Sequence, residues 1–288
     1  MKKAVSIIVL IFLALISFSQ SDRSLLWKIS GNGTQQPSYL FGTMHILCAE
    51  DAKLSDSLKR VIGHCDQVYF EIDMTDMAGM MAAMQYMRMK DDKKLSDLLG
   101  PADYEKLKKY FETHPSMLPF SMLERFKPML ISSLLEEAQF PCAATNGMEW
   151  VLMKEAKADN KKINGLETAA FQASLFDSIP YADQAKDLMK YIDSGEQYKK
   201  VSDTLRAAYI KQDLQQIESL TQENSSEYGH FMDLLLYDRN RRWVGMMQNL
   251  IPKKSLLFAV GAGHLPGKKG LINLLREKGY TVTAVMNH

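Results

Sequence analysis

Two strand-like runs in this chain end in the same short pattern, and that repetition restricts the fold more than any other feature. Ser38-Tyr39-Leu40-Phe41 leads into Gly42-Thr43-Met44-His45, and Leu256-Leu257-Phe258-Ala259-Val260 leads into Gly261-Ala262-Gly263-His264. A strand that gives way to Gly-x-x-His leaves an imidazole standing at its carboxyl end. In open α/β sheets that edge is where ligands bind. For both imidazoles to face one crevice, the end of the chain must return beside its start.

The rest of the sequence supports a sheet built from both ends. Leu25–Ser30 and Ser38–Gly42, joined by a turn at Asn32-Gly33, read as an opening hairpin. Lys53 to Gly63 has helical spacing, with Leu54, Leu58, Val61 and Ile62 on one face. Gln67–Ile72 is a third strand. A mainly helical stretch then runs from about Thr75 to Asn160, punctuated by Gly100-Pro101 and by a loop at His114-Pro115 and Leu118-Pro119. Pro128 starts or kinks a helix there. Lys161–Asn164 is a short strand entering Gly165-Leu166-Glu167-Thr168. A second helical block runs to about Asn249, with breaks near Pro180 and Asn224-Ser225-Ser226. Strand Ser255–Val260, a helix over Lys268–Lys278 closed by Gly279, and strand Tyr280–Met286 end the chain. The fold class is α/β (α+β): a central mixed β-sheet from N- and C-terminal strands, with large helical insertions over about 75–160 and 168–250.

Charge and cysteine usage narrow the setting. A net charge of +1 on 288 residues provides no field to attract nucleic acid or an acidic membrane. Lys2-Lys3 followed by the mostly apolar Ala4 to Phe18 has the form of a secretory signal, so residues 1–20 are read as a signal peptide and 21–288 as one domain. Ser17-Phe18-Ser19-Gln20 lacks a clean Ala-x-Ala site, which keeps an uncleaved anchor as the alternative. No later segment qualifies as membrane-spanning, and the expected location is periplasmic or secreted. Cys48, Cys65 and Cys142 then permit one disulfide and one spare thiol, with all three pairings open. Cys65 beside His64 is a poor nucleophile pair, because adjacent side chains point apart.

Several residues have the chemistry for a site. His45 and His264, each in its strand-Gly-x-x-His frame, suit metal coordination or a proton relay; alone, each would read as a core histidine. Glu71 closes a strand, sharing a face with Asp73, and a carboxylate there is costly unless metal-bound or paired with an arginine such as Arg239 or Arg242. Two His and one Glu form a recognised catalytic metal set with a position left for water. Glu167 stands at another strand exit, as a base or as part of a helix start. Arg239 and Asn240 suit oxyanion stabilisation or orientation of a ligand, or else ion pairing on a helix surface. Met77, Met80, Met81, Met84 and Met87 recur at helical spacing within Met74 to Met89. That pattern predicts an amphipathic packing helix, with an adaptable surface for apolar peptide as the next reading. There is no His-Glu-x-x-His helix, Gly-x-Ser-x-Gly elbow or phosphate loop.

Tyr39-Leu40-Phe41-Gly42-Thr43-Met44-His45, Phe70-Glu71-Ile72-Asp73, Gly165-Leu166-Glu167-Thr168, Arg239-Asn240-x-x-Trp243 and Val260-Gly261-Ala262-Gly263-His264-Leu265 occur in one order. In this the chain resembles the TraB/GumN family, which includes the Tiki metal-dependent proteases and is related to the erythromycin-esterase/ChaN-like fold. The resemblance implies His45, Glu71 and His264 as metal ligands in an exported, metal-dependent hydrolase, most plainly a peptidase acting on peptide or protein. Arg239 and Asn240 match the family's Arg-Asn-x-x-Trp signature; with the residue reading above, Glu71, Glu167, Arg239 and Asn240 are the expected catalytic groups, Glu167 or Asp73 assisting as base. The resemblance also implies a divalent ion, Mn2+ or Co2+, and a His/carboxylate site admits Zn2+ as well. The competing expectations are a non-catalytic binder of a haem-like ligand and a metal-independent esterase.

Overall fold

The computed structural model describes residues 23–114, 118–138, 140, 142, 145–224 and 229–287. The expected signal peptide and its anchor alternative lie outside the described residues, as do parts of the loops expected near residues 115 and 225.

Six strands form one mixed sheet in the order β6-β4-β7-β2-β1-β8. They are β1 Leu26–Ser30, β2 Ser38–Thr43, β4 Gln67–Ile72, β6 Lys162–Glu167, β7 Leu256–Gly261 and β8 Thr281–Ala284. The hairpin β1–β2 is antiparallel and β8 pairs antiparallel with β1, whereas β2, β7, β4 and β6 run parallel. The sheet therefore has the mixed character expected from the sequence. β7 sits between β2 and β4, and Leu256 to Val260 are all buried. An uninterrupted apolar run is what a parallel strand covered on both faces requires. Register aligns the strand ends: Thr43 lies opposite Gly261, and Ile72 opposite Glu167.

A second, two-stranded sheet was not anticipated. Leu47–Cys48 (β3) pairs antiparallel with Thr145–Asn146 (β5). Cys48 is disulfide-bonded to Cys142, which resolves the open pairing. Cys65 is free and buried, and burial pushes its thiol up to about 11. Such a thiol is protonated and unreactive at neutral pH. Its neighbour His64 instead turns its Nδ1 to the Arg60 carbonyl, 2.6 Å away.

The helices carry local stop and start signals. Helix α1, Asp56–His64, is capped by Ser55, whose hydroxyl accepts from the Leu58 amide at 3.0 Å. α2 is Met77–Ala83, α3 Pro101–Thr113, and α4 opens on Pro128 and runs to Ala138. α5 is Met148–Ala158, and α6, Ala169–Leu175, is capped by Thr168. α7 Tyr181–Asp193, α8 Gly195–Ile210 and α9 Leu214–Asn224 follow; α10 is Asp238–Leu250 and α11 Leu271–Glu277.

Two cores result. One surrounds the sheet and includes Phe41, Phe70, Phe258, Trp243 and Met247. The other lies among the inserted helices, around Leu95, Leu107, Ile131, Leu135 and Leu188. Lys127, next to Phe126 of the second core, is fully buried, donating to Asp177 Oδ1 at 2.8 Å and to the Ala173 carbonyl at 2.9 Å. The methionine run corrects the packing expectation. Met77, Met81 and Met84 are 69%, 64% and 52% exposed, because α2 rests on α6 by one edge and leaves the rest open. No described helix is long and apolar enough to cross a membrane.

Candidate active site at the carboxyl edge of the sheet

All four parallel strands deliver a chemically active residue to one edge. Glu71 is the penultimate residue of β4, Glu167 the last of β6, and His45 and His264 follow the ends of β2 and β7. Helix α10 supplies Arg239 and Asn240, both buried, from just beyond a π-helical turn over Asp233–Tyr237. Such turns often accompany functional positions because they shift the side chains that follow.

Arg239 is the hub. Its Nη2 pairs with Glu71 Oε2 and, at 2.6 Å, with Glu167 Oε1; its Nε donates to the same Glu167 oxygen at 2.9 Å. Nη1 donates to the Leu235 carbonyl at 2.8 Å and faces His264 Nε2 at 3.3 Å. Gln172 on α6 donates Nε2 to Glu71 Oε2 at 2.9 Å and Glu167 Oε1 at 3.1 Å. Burial opposes ionisation of Glu71, yet the charge of Arg239 and the Gly261 amide, which donates to Oε1 at 2.8 Å, hold its pKa below the ordinary carboxylate value. Gly261 allows the Glu71 carboxylate to approach the backbone closely. A Cβ there would stand 3.2 Å from Glu71 Oε1, and its φ is not in the left-handed region.

Asn240 sets the state of His264. Its Nδ2 donates to the carbonyls of Lys269 at 2.9 Å and His264 at 3.3 Å, so its Oδ1 is the atom 2.6 Å from His264 Nδ1. That fixes the proton on Nδ1 and leaves Nε2 as an acceptor, facing Arg239 Nη1 at 3.3 Å with Glu71 Oε1 3.6 Å away. Burial keeps the ring neutral, with its pKa lowered to about 3. Trp243 packs beside it at a centroid distance of 4.5 Å.

His45 stands apart from this network. Its Nδ1 lies 2.7 Å from Glu149 Oε1 on α5, an acid the sequence reading missed. Glu149 occupies the first turn of a helix, where acids are common for reasons of the helix dipole alone, so nothing in the local pattern singled it out. Desolvation opposes charge on both partners; the pair outweighs it, raising His45 to about 9 and lowering Glu149. The His45 side chain is 67% exposed, so solvent screens the attraction. The contact is an ion pair rather than an aligned hydrogen bond, and Glu149 Oε1 is buried without a hydrogen-bond donor. Its segment is stitched to that of His45 by the β3–β5 ladder and by the Met148 amide, which donates to the Met44 carbonyl at 3.0 Å. Gly147 makes the fit possible, since a Cβ there would lie 2.6 Å from the His45 carbonyl oxygen.

His45, Glu149, Glu71 and Gln172 line one cavity of about 300 Å³, with Met74 and the exposed Trp150 at its wall. A larger depression of about 710 Å³, lined by Arg23, Asp213, Glu218 and Arg276 among others, contains none of these residues. Asp73 is drawn into a local turn, its Oδ1 accepting from the Thr75 amide at 2.8 Å and hydroxyl at 2.6 Å. Neutral imidazole nitrogen and carboxylate oxygen are the donors a divalent transition ion takes, and the undonated Glu149 oxygen is an available one, so the residues fit such an ion in kind. Among the described residues no three of these side chains converge closely enough to hold an ion. The donors form two groups, with His45 and Glu149 facing Glu71, Arg239 and His264.

Fold and site together define a mixed α/β chain whose acid, imidazole and guanidinium groups gather at the carboxyl edge of its parallel strands. The chain belongs to the TraB/PrgY/gumN family, whose model matches residues 25–284. Among curated relatives it is similar to Metalloprotease TIKI2 of Danio rerio, 25% identical over 320 residues, covering 92% of this chain and 61% of that one. Metalloprotease TIKI1 of Homo sapiens is 26% identical over 316 residues, covering 90% and 61%. A Metalloprotease TIKI homolog of Nematostella vectensis is 23% identical over 323 residues, covering 91% and 67%. The chain thus spans about three-fifths of the length of the first of these. No solved structure matches it.

Proposed function

We propose that the chain is an exported, metal-dependent hydrolase that cleaves peptide bonds. The observation that carries this reading is His264. A buried imidazole held neutral, with its proton fixed on Nδ1 by Asn240 and its Nε2 beside Glu71 Oε1 and the Arg239 guanidinium, has the tautomer of a ligating histidine oriented by an outer hydrogen bond. The relatives' name, metalloprotease, supports the same chemistry. His45, Glu71 and His264 would hold the ion, with Glu149 beside His45, which must shed its proton to ligate. Mn2+ or Co2+ is the proposed metal, with Zn2+ also compatible with these donors. A bound ion would acidify water and polarise the scissile carbonyl. Arg239 holds Glu71 and Glu167 in place, and Glu149 orients the His45 ring so that Nε2 is the nitrogen free for a ligand. Export is supported by the Lys2-Lys3 and Ala4 to Phe18 segment and by the Cys48–Cys142 disulfide, which suits an oxidising compartment.

Peptide-library cleavage by the purified protein, with chelator and after readdition of Mn2+, Co2+ or Zn2+, tests the proposal. Activity should vanish with chelator, return with metal, and be lost in His45→Ala and His264→Ala proteins that keep the wild-type melting temperature. A fully active double variant would sink it. A second reading rests on Arg239, whose guanidinium already serves as the cationic centre between two carboxylates: a metal-free esterase with Arg239 as electrophile. Hydrolysis indifferent to chelator would favour that one.

A further inference from the structure

Four exposed methionines, Met77, Met81, Met84 and Met87, and the half-buried Met80 enclose a pocket of about 320 Å³ against Phe176. No charged residue lines it. Its volume is at the low end for ligand pockets, enough for one or two large side chains and too small for an extended apolar ligand. Ile72 and Gln172 line both this pocket and the cavity holding His45, Glu71 and Glu149. Gln172 is at the same time hydrogen-bonded to Glu71 and Glu167. The apolar pocket and the site are therefore neighbouring compartments with a shared wall. Among the described residues nothing covers the outer face, where Met77, Met81 and Met84 are more than half exposed. Single exposed apolar side chains need no explanation, but five of one flexible, polarisable type around one hollow do. Methionine adapts its shape to differing apolar groups more readily than branched residues do.

We propose that this methionine pocket binds a large apolar side chain (Leu, Met or Phe) of a peptide substrate, next to the bond presented to the site. The proposal rests on the peptidase reading for the nature of its ligand, and its test separates the two. Two fluorescently labelled, end-blocked peptides that differ only in a central Leu or Ser are titrated against the full chain by anisotropy, and their cleavage is followed separately. The wild type should bind the Leu peptide roughly tenfold or more tightly over the Ser peptide, the discrimination an apolar pocket provides. Met81→Glu with Met84→Glu should bring that ratio near one without lowering the melting temperature, since both side chains are exposed. Met77→Glu provides an independent variant of the same pocket.

Discrimination without cleavage would keep the pocket and overturn the peptidase reading. Cleavage without discrimination, a ratio unchanged in the variants, or binding of neither peptide would overturn the pocket. Preferential binding of a labelled fatty acid would also overturn it. So would self-association of the wild type that the variants abolish, since a second copy of the chain would then be the occupant.

Discussion

Asn240 shows how much of the site depends on one amide. It touches no cavity wall, yet its Oδ1 decides which nitrogen of His264 carries the proton, and its two donated bonds decide which way the amide faces. Asn240→Ala should lower hydrolytic activity about 10- to 100-fold, the usual cost of losing the partner that orients a ligating histidine. Steady-state rates alongside thermal melting check this: activity should fall far more than stability, and a full-rate variant would mean that the tautomer is not held for chemistry. Arg239 was legible from sequence as an arginine partner for Glu71. Its simultaneous hold on Glu167 was not, because the two acids are brought level only by the β4–β6 pairing.

The strands were readable because each has a periodicity or an apolar run of its own, and every strand of the main sheet falls within a few residues of its expected place. β3 and β5 were not. Two residues each are too few to show alternation, and their pairing joins segments almost a hundred positions apart. This small ladder, with its disulfide, fixes the loop of His45 against the helix of Glu149. Replacing Cys48 and Cys142 by serine opens a tie spanning 94 residues, which should cost about 4–5 kcal/mol on loop-entropy grounds. Urea unfolding should record that loss, and dithiothreitol should reproduce it in the wild type while leaving the double variant unchanged. The methionine helix was misread for a related reason. Periodicity identifies the face of a helix that is apolar, but not whether another element is there to cover it.

Across the molecule, a buried cation ties the inserted helices together. Lys127 joins the helical insertion to the segment after α6, and Asp177, its partner, also accepts from the Tyr181 hydroxyl at 2.6 Å. Burial opposes ionisation of Asp177, but hydrogen bonds from Lys127 and Tyr181 hold its pKa below the ordinary aspartate value. Its contribution to stability is therefore complete above that ordinary value and is lost as the pH falls through the lowered one. Lys127→Met leaves the carboxylate without its buried counter-ion and should destabilise the fold by about 3–5 kcal/mol near neutrality. Urea titrations at neutral and acid pH should show the gap between wild type and variant narrowing on acidification; a gap independent of pH would count against the ion pair as its source.

The position of β7 has a consequence in time. It is the second-last strand of the main sheet in the chain but lies between β2 and β4, with Leu40 opposite Phe258 and Gln67 opposite Leu256. A ribosome has released His45, Glu71 and Glu167 long before the strand that joins β2 to β4 exists. Such long-range closure is slow, and domains generally settle as their sequence is completed. A chain ended before β7 would hold most of the reactive groups without the strand that joins the β2 side of the sheet to the β4 side. The groups from β2 and from β4 and β6 can share one edge only once β7 has been made.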